Sequence, residues 1–162
     1  MTLHESVTAR TEARPADVFA LLTDIALLPE WNAAIVEVNE SPGMLAAGAE
    51  WKVRLHALGQ SWISRSTVTS LDPVDLRFGY RSQTDDGNPS FAEWDWRVQA
   101  RADGAQVTVV VTLHPVTFWR RYLLVHVRRP ALRREMQASV AALTTIANVQ
   151  HKSRARNAEQ TR

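Results

Sequence analysis

From Ile35 to Leu113 the chain reads as strand after strand, with apolar and polar residues alternating between short turn sequences. A period of two is the mark of a strand with one buried face. The strands are expected at about 35–40, 49–57, 61–71, 75–83, 90–101 and 105–114. The breaks between them, "SPGM", "ALGQ", "LDPVD", "TDDGNP" and "ADGA", are turn chemistry. Connections this short join neighbouring strands, so the pattern predicts an antiparallel meander. Leu3 to Arg10 adds one more strand at the start.

Helical patterns flank this run. "RPADVFALLTD" gives a helix of about ten residues with Pro15 in its first turn and Val18, Phe19 and Leu22 on one face. "ALLPEWN" continues as a second short helical turn, broken by Pro29. Beyond the last strand, a short helical segment from Val116 to about Val127 is expected to stop at Pro130, where a longer helix starts. Leu132, Met136, Val140, Leu143 and Ala147 mark its buried stripe, and Arg133, Arg134 and Glu135 lie off it. The expected architecture is α+β, with a seven-stranded curved antiparallel sheet wrapped around a long C-terminal helix and two short helices between strands 1 and 2. A single domain is expected over residues 1–150, with a flexible basic tail at 151–162.

Geometry then raises a question about the interior. Seven strands at about 4.8 Å spacing span about 34 Å, whereas one helix with its side chains is about 10–12 Å across. The sheet has to curl around the helix, and the space left between them is filled either by large side chains or by a ligand. Strand parity says which side chains enter it. Trp51, Val53 and Leu55 share a face, as do Phe78 and Tyr80, Trp94 and Trp96, and Val107, Val109 and Val111. Trp62 and Val68 share one parity of their strand, and Ile63 and Leu71 share the other, so a bulge is expected between them. Each buried tryptophan contributes about 4–6 kcal/mol as an upper bound, so stability alone would account for the indoles. Their N–H groups, however, need partners that a wet or ligand-filled cavity supplies more easily than a solid core.

Composition narrows the chemistry. With no cysteine, disulfides, thiolate metal sites and thiol nucleophiles are excluded. No stretch approaches the roughly 18 apolar residues of a membrane span, and "MTLHESVTAR" lacks the pattern of a signal peptide, so a cytoplasmic location is expected. All but two of the 19 basic residues are arginine, and Arg120, Arg121, Arg128, Arg129, Arg133 and Arg134 crowd one segment. That cluster is read either as a solvated helix face or as a dock for an acidic carrier protein or a membrane surface. It lacks an RNA-reading platform, so no nucleic-acid partner is expected.

At this level of detail the chain resembles a known family. "PADVFALLTDIALLPEWN" is similar to the N-terminal signature of the SRPBCC (START-like, helix-grip) superfamily, and "AAGAEW", "VTSLDPVDLRFGY" and "DGAQVTVVVTLHP" resemble its later strands. The nearest flavour is the polyketide cyclase/dehydrase-like group, over about residues 1–150. The resemblance implies a hydrophobic cavity between sheet and helix. Members bind lipids, sterols, polyketides or plant hormones, and some are aromatase/cyclases. It carries over no catalytic motif.

The expected ligand is therefore an apolar, ring-containing small molecule, with no cofactor and no metal. The expected wall comprises Trp31, Trp51, Val53, Leu55, Trp62, Phe78, Tyr80, Trp94, Trp96, Val109, Tyr122, Met136 and Val140, with Arg65 either as its polar foot or turned outward. For a cyclase or dehydrase the catalytic candidates are Arg65, Tyr122 and His126, the last two as an acid and base near the cavity mouth. The five histidines show no metal-ligand spacing and none sits beside a paired carboxylate, and His56 should face solvent. Glu5 shares parity with Leu3 and Val7, and is read either as exposed at the sheet edge or as a buried carboxylate.

Overall fold

The structure, a computed structural model, describes residues 2–116 and 125–161, with the backbone alone at 125–127. Strand β1 (Leu3–Thr11) leads into helix α1 (Pro15–Leu22), a 3₁₀ turn (Ile25–Leu27) and helix α2 (Leu28–Trp31). Strands β2 (Ile35–Glu40), β3 (Glu50–Ala57), β4 (Gln60–Asp72), β5 (Arg77–Thr84), β6 (Phe91–Arg101) and β7 (Gly104–His114) follow, then helix α3 (Val125–Gln160). One antiparallel sheet holds all seven strands in the order β1-β7-β6-β5-β4-β3-β2. β1 and β2 are thus opposite edges, and α1 and α2 lie in the crossover between them. Pro29 sits in the first turn of α2, so it starts that helix instead of breaking it.

Two local features shape the sheet. The register between β4 and β5 shifts between Val68 and Ser70, the bulge expected from the change of parity. Gly104 opens β7 at φ 144°, and a Cβ there would stand 2.0 Å from the Thr11 carbonyl oxygen, so only glycine lets β1 and β7 approach at this point.

Helix α3 differs from expectation at both ends. It runs unbroken through Pro130. Pro130 is exposed, so the carbonyl it leaves without an N–H partner can turn to water while the flanking apolar stripe stays buried. At the other end the helix continues past Gln150 to Gln160. Side-chain anchors hold this stretch. Asn148 Oδ1 accepts from Thr11 Oγ1 at 2.6 Å and from the Glu12 N–H at 2.8 Å, and Arg154 Nη1 reaches Asp17 at 2.6 Å. The residues 151–160 are also mostly good helix formers.

The interior has a packed half and an open half. α3 leans on β1, β7, α1 and α2. There Val18 and Leu22 of α1, Val107, Val109 and Val111 of β7, and Val140 and Leu143 of α3 are buried almost completely. Over β3, β4 and β5 the helix stands off.

Candidate functional site

In that gap lies a cavity of about 480 Å³, within the usual size of small-molecule sites. Its floor comes from alternate residues of neighbouring strands, because alternate side chains face one side of a sheet. Trp51, Val53, Leu55 and Ala57 come from β3, Trp62, Ser64 and Ser66 from β4, and Tyr80 and Ser82 from β5. Ala92, Trp94 and Trp96 of β6 extend it. Leu132, Glu135, Met136 and Ser139 of α3, with Leu28 and Asn32, form the roof.

The rings lock one another in place. Tyr80 stands edge-on to Trp51 with centroids 5.0 Å apart and stacks on Trp94 at 5.8 Å, while Trp31 meets Trp96 edge-on at 5.4 Å. Burial pushes the Tyr80 hydroxyl pKa well above the usual tyrosine value, opposed in small part by the Trp96 indole beside it. The Trp94 N–H donates to Ser82 Oγ at 2.9 Å. The indole N–H groups of Trp31 and Trp96 are buried without an aligned acceptor. Ser66 is buried, and its hydroxyl makes no hydrogen bond to the described residues.

Charge enters from α3 and from the sheet rim. Arg128 faces Glu135 as a fork, with Nη1 donating to Oε1 at 3.0 Å and Nη2 to Oε2 at 3.2 Å. The Arg128 guanidinium also lies 5.5 Å from the Trp62 ring centroid. Burial raises the Glu135 carboxyl pKa, and Arg128 opposes the rise. At the rim, His114 Nε2 is 2.8 Å from Glu93 Oε2, and its ring stacks on Phe91 at 4.4 Å. Among the described residues no cluster of three His, Asp or Glu side chains is placed to hold a metal, and no helix is long and apolar enough to cross a membrane.

The profile of the family described as "Polyketide cyclase / dehydrase and lipid transport" matches residues 2–148. The chain belongs to this family. It therefore falls within the SRPBCC superfamily, and its helix-grip architecture agrees with that placement. Among solved structures, the Zhui aromatase/cyclase from Streptomyces sp. R1128 is similar with a TM-score of 0.73 and 16% identity, over 91% of this chain and 94% of that one. Ara h 8.0201 gives a TM-score of 0.71 at 17% identity, over 91% and 98%. TTHA0849 from Thermus thermophilus gives 0.71 at 16% identity, over 93% and 99%. Identities this low speak to the fold alone. Among curated proteins no sequence matches the chain.

The polyketide cyclase/dehydrase family fold brings together Trp51, Val53, Leu55, Trp62, Tyr80, Trp94, Trp96 and Met136 on the cavity wall. Trp31, Phe78, Val109 and Val140 lie instead in the packed core behind it, Phe78 against Trp51 and Tyr80 and Trp31 against Trp96. Arg65 is not on the wall. Its strand parity is that of Ile63, on the outer face, where Nη2 pairs with Asp85 at 2.9 Å. Tyr122 falls outside the described residues, as does the side chain of His126.

Three further placements bear on the sequence reading. Glu5 is buried, not exposed at the edge. It faces α3, where Arg129 Nε and Arg133 Nη1 reach its two oxygens. His114 does have a carboxylate partner, since register places it on β7 near Glu93 of β6, a contact between residues 21 apart in sequence. Arg128, Arg129 and Arg133, read either as a solvated helix face or as part of a dock, pair with Glu135 or Glu5, and Arg129 and Arg133 stay more than half exposed. His56 is exposed and meets Ser61 Oγ at 2.8 Å. The residues that sequence reasoning missed are Arg128, Glu135 and the serines. A helical signal for the first two was present, since 128, 132, 135 and 139 step by four, three and four along one face.

Proposed function

We propose that this protein binds an apolar, ring-containing small molecule, lipid-like or polyketide-like, in the cavity between α3 and the sheet. The observation that carries this reading is the cavity of about 480 Å³ walled by Trp51, Trp62, Tyr80, Trp94 and Trp96. Flat aromatic walls favour a ring, and a void of this size left dry forfeits contacts that a ligand restores. Native mass spectrometry of the purified protein, with tryptophan quenching across a panel of apolar ring compounds, tests it. A bound species and saturable quenching are expected, and the absence of both across the panel overturns the reading.

A second reading, ring closure or dehydration of a polyketide-like substrate in the same cavity, is favoured by the His114–Glu93 pair at the rim and by the likeness in fold to an aromatase/cyclase. A carboxylate-bonded imidazole can take a proton from carbon and return one to oxygen. His114→Gln is then expected to remove turnover of a poly-β-carbonyl substrate while sparing its binding. Unchanged turnover removes His114 from the mechanism.

A further inference from the structure

Among the described residues lining the cavity, the charged ones are Arg128, Glu135 and Asp86, together with the ionisable His114. Only the Arg128–Glu135 pair among them sits on the roof. The Arg128 guanidinium is already committed, because both its terminal nitrogens donate to the two oxygens of Glu135 and it lies over the Trp62 ring. Arg128 and Glu135 are both about three-quarters buried, with side chains 26% and 22% exposed, so little water remains to solvate a further charge between them.

We propose that Glu135 is a specificity residue that reserves the cavity for neutral, hydrogen-bond-accepting ring compounds, by holding Arg128 so that a ligand carboxylate meets no free cation among the described residues. This rests on the binding reading above. A carboxylate entering the site would shed its hydration and face like charges without a partner, and a penalty of that kind is how a site rejects a wrong ligand. A neutral carbonyl, ester or hydroxyl oxygen fares differently. The Ser66 hydroxyl on the cavity wall, which has no hydrogen-bond partner among the described residues, offers a donor there, and an acceptor beside it gains a hydrogen bond that a carboxylate could take only at the cost of its hydration.

The test uses a matched pair of probes, 1-pyrenebutyric acid and its methyl ester, titrated fluorimetrically at about pH 8, where the free acid is ionised. The wild-type chain is expected to bind the ester at least about tenfold more tightly than the carboxylate. Glu135→Gln keeps the shape of the side chain and releases Arg128. It should bring the two affinities within about threefold of each other by tightening the carboxylate, with ester binding serving as the check on folding. Arg128→Gln, and the double variant with Glu135→Gln, should both keep the preference for the ester. Equal binding of the two probes by the wild type, or an unchanged ratio in Glu135→Gln, overturns this assignment and leaves the binding reading standing. Failure of the ester to bind overturns both.

Discussion

The carboxylate of Glu5 on β1 is buried beneath α3, and the guanidinium of Arg129 closes on one of its oxygens, while Arg133 stands 3.7 Å from the other. This contact ties the helix to the edge strand of the packed half. Arg129 is half exposed, so losing Glu5 frees it to water, but losing Arg129 strands a buried carboxylate. Arg129→Ala is therefore expected to cost about 1–3 kcal/mol. Arg133→Ala, which leaves the short bond intact, should cost less than about 1 kcal/mol. Urea denaturation midpoints of the two variants check the order, and equal losses would sink the anchoring role of Arg129.

Burial of Tyr80 gives the fold an alkaline weakness. The folded chain keeps the phenolic proton at pH values where the unfolded chain releases it, because the ring is enclosed by Trp51 and Trp94. The unfolded state therefore binds fewer protons, and stability falls as pH rises past the ordinary tyrosine value of about 10. Tyr80→Phe removes that part of the loss. Denaturant unfolding on either side of that pH should show a steeper fall in the wild type than in the variant, and parallel falls would contradict the buried hydroxyl.

How legible this fold was depended on what each face of the sheet carries. Strands β2 to β7 were readable nearly to their ends because turns such as "ADGA" and "TDDGNP" punctuate a regular alternation. The same alternation misled at β4. Its inner face carries Trp62, Ser64, Ser66 and Val68, and its outer face Ile63, Arg65 and Thr67. Lining a cavity with serines removes the apolar signal that marks an inner face, so the side of β4 nearest the ligand space looked the least decided. Glu5 and Glu135 share this difficulty. A buried carboxylate reads as surface until its arginine is found, and Arg129 lies 124 residues from Glu5. The continuation of α3 past Gln150 was likewise hidden, since it depends on partners in β1 and α1.

Asp17 makes the far end of α3 sensitive to acid. Its carboxyl is held below the usual carboxylate range by the hydrogen bond from Arg14 first, and by Arg154 of α3, against a partial cost of burial. A lowered carboxylate pKa stabilises the fold above the unfolded value of about 3.9, and that contribution is lost as pH falls through the folded value. Asp17→Asn should cost less than about 1 kcal/mol at neutral pH, because the pair is near the surface, with no difference from wild type in strong acid. Hydrogen exchange should quicken selectively in residues 148–160 of the variant. Unchanged exchange there would mean that the helix end holds without Arg154.

Ser66 separates stability from binding. Its buried side chain sits on the cavity wall between Trp51 on β3 and Ser82 on β5, its partners in register, and its hydroxyl is unused. Replacing it with leucine breaks no hydrogen bond and places apolar atoms in the space of the cavity. For a packed core such enlargement strains its neighbours, but beside a cavity of about 480 Å³ there is room. Ser66→Leu is expected to leave stability unchanged or raise it by up to about 1 kcal/mol, while weakening binding of an apolar ring probe by at least about tenfold. Thermal unfolding and tryptophan quenching on the same preparation measure both. A loss of stability comparable to that of a core enlargement such as Val109→Leu would show that the space beside Ser66 is already full, because a gap open to a ligand is also open to a larger side chain.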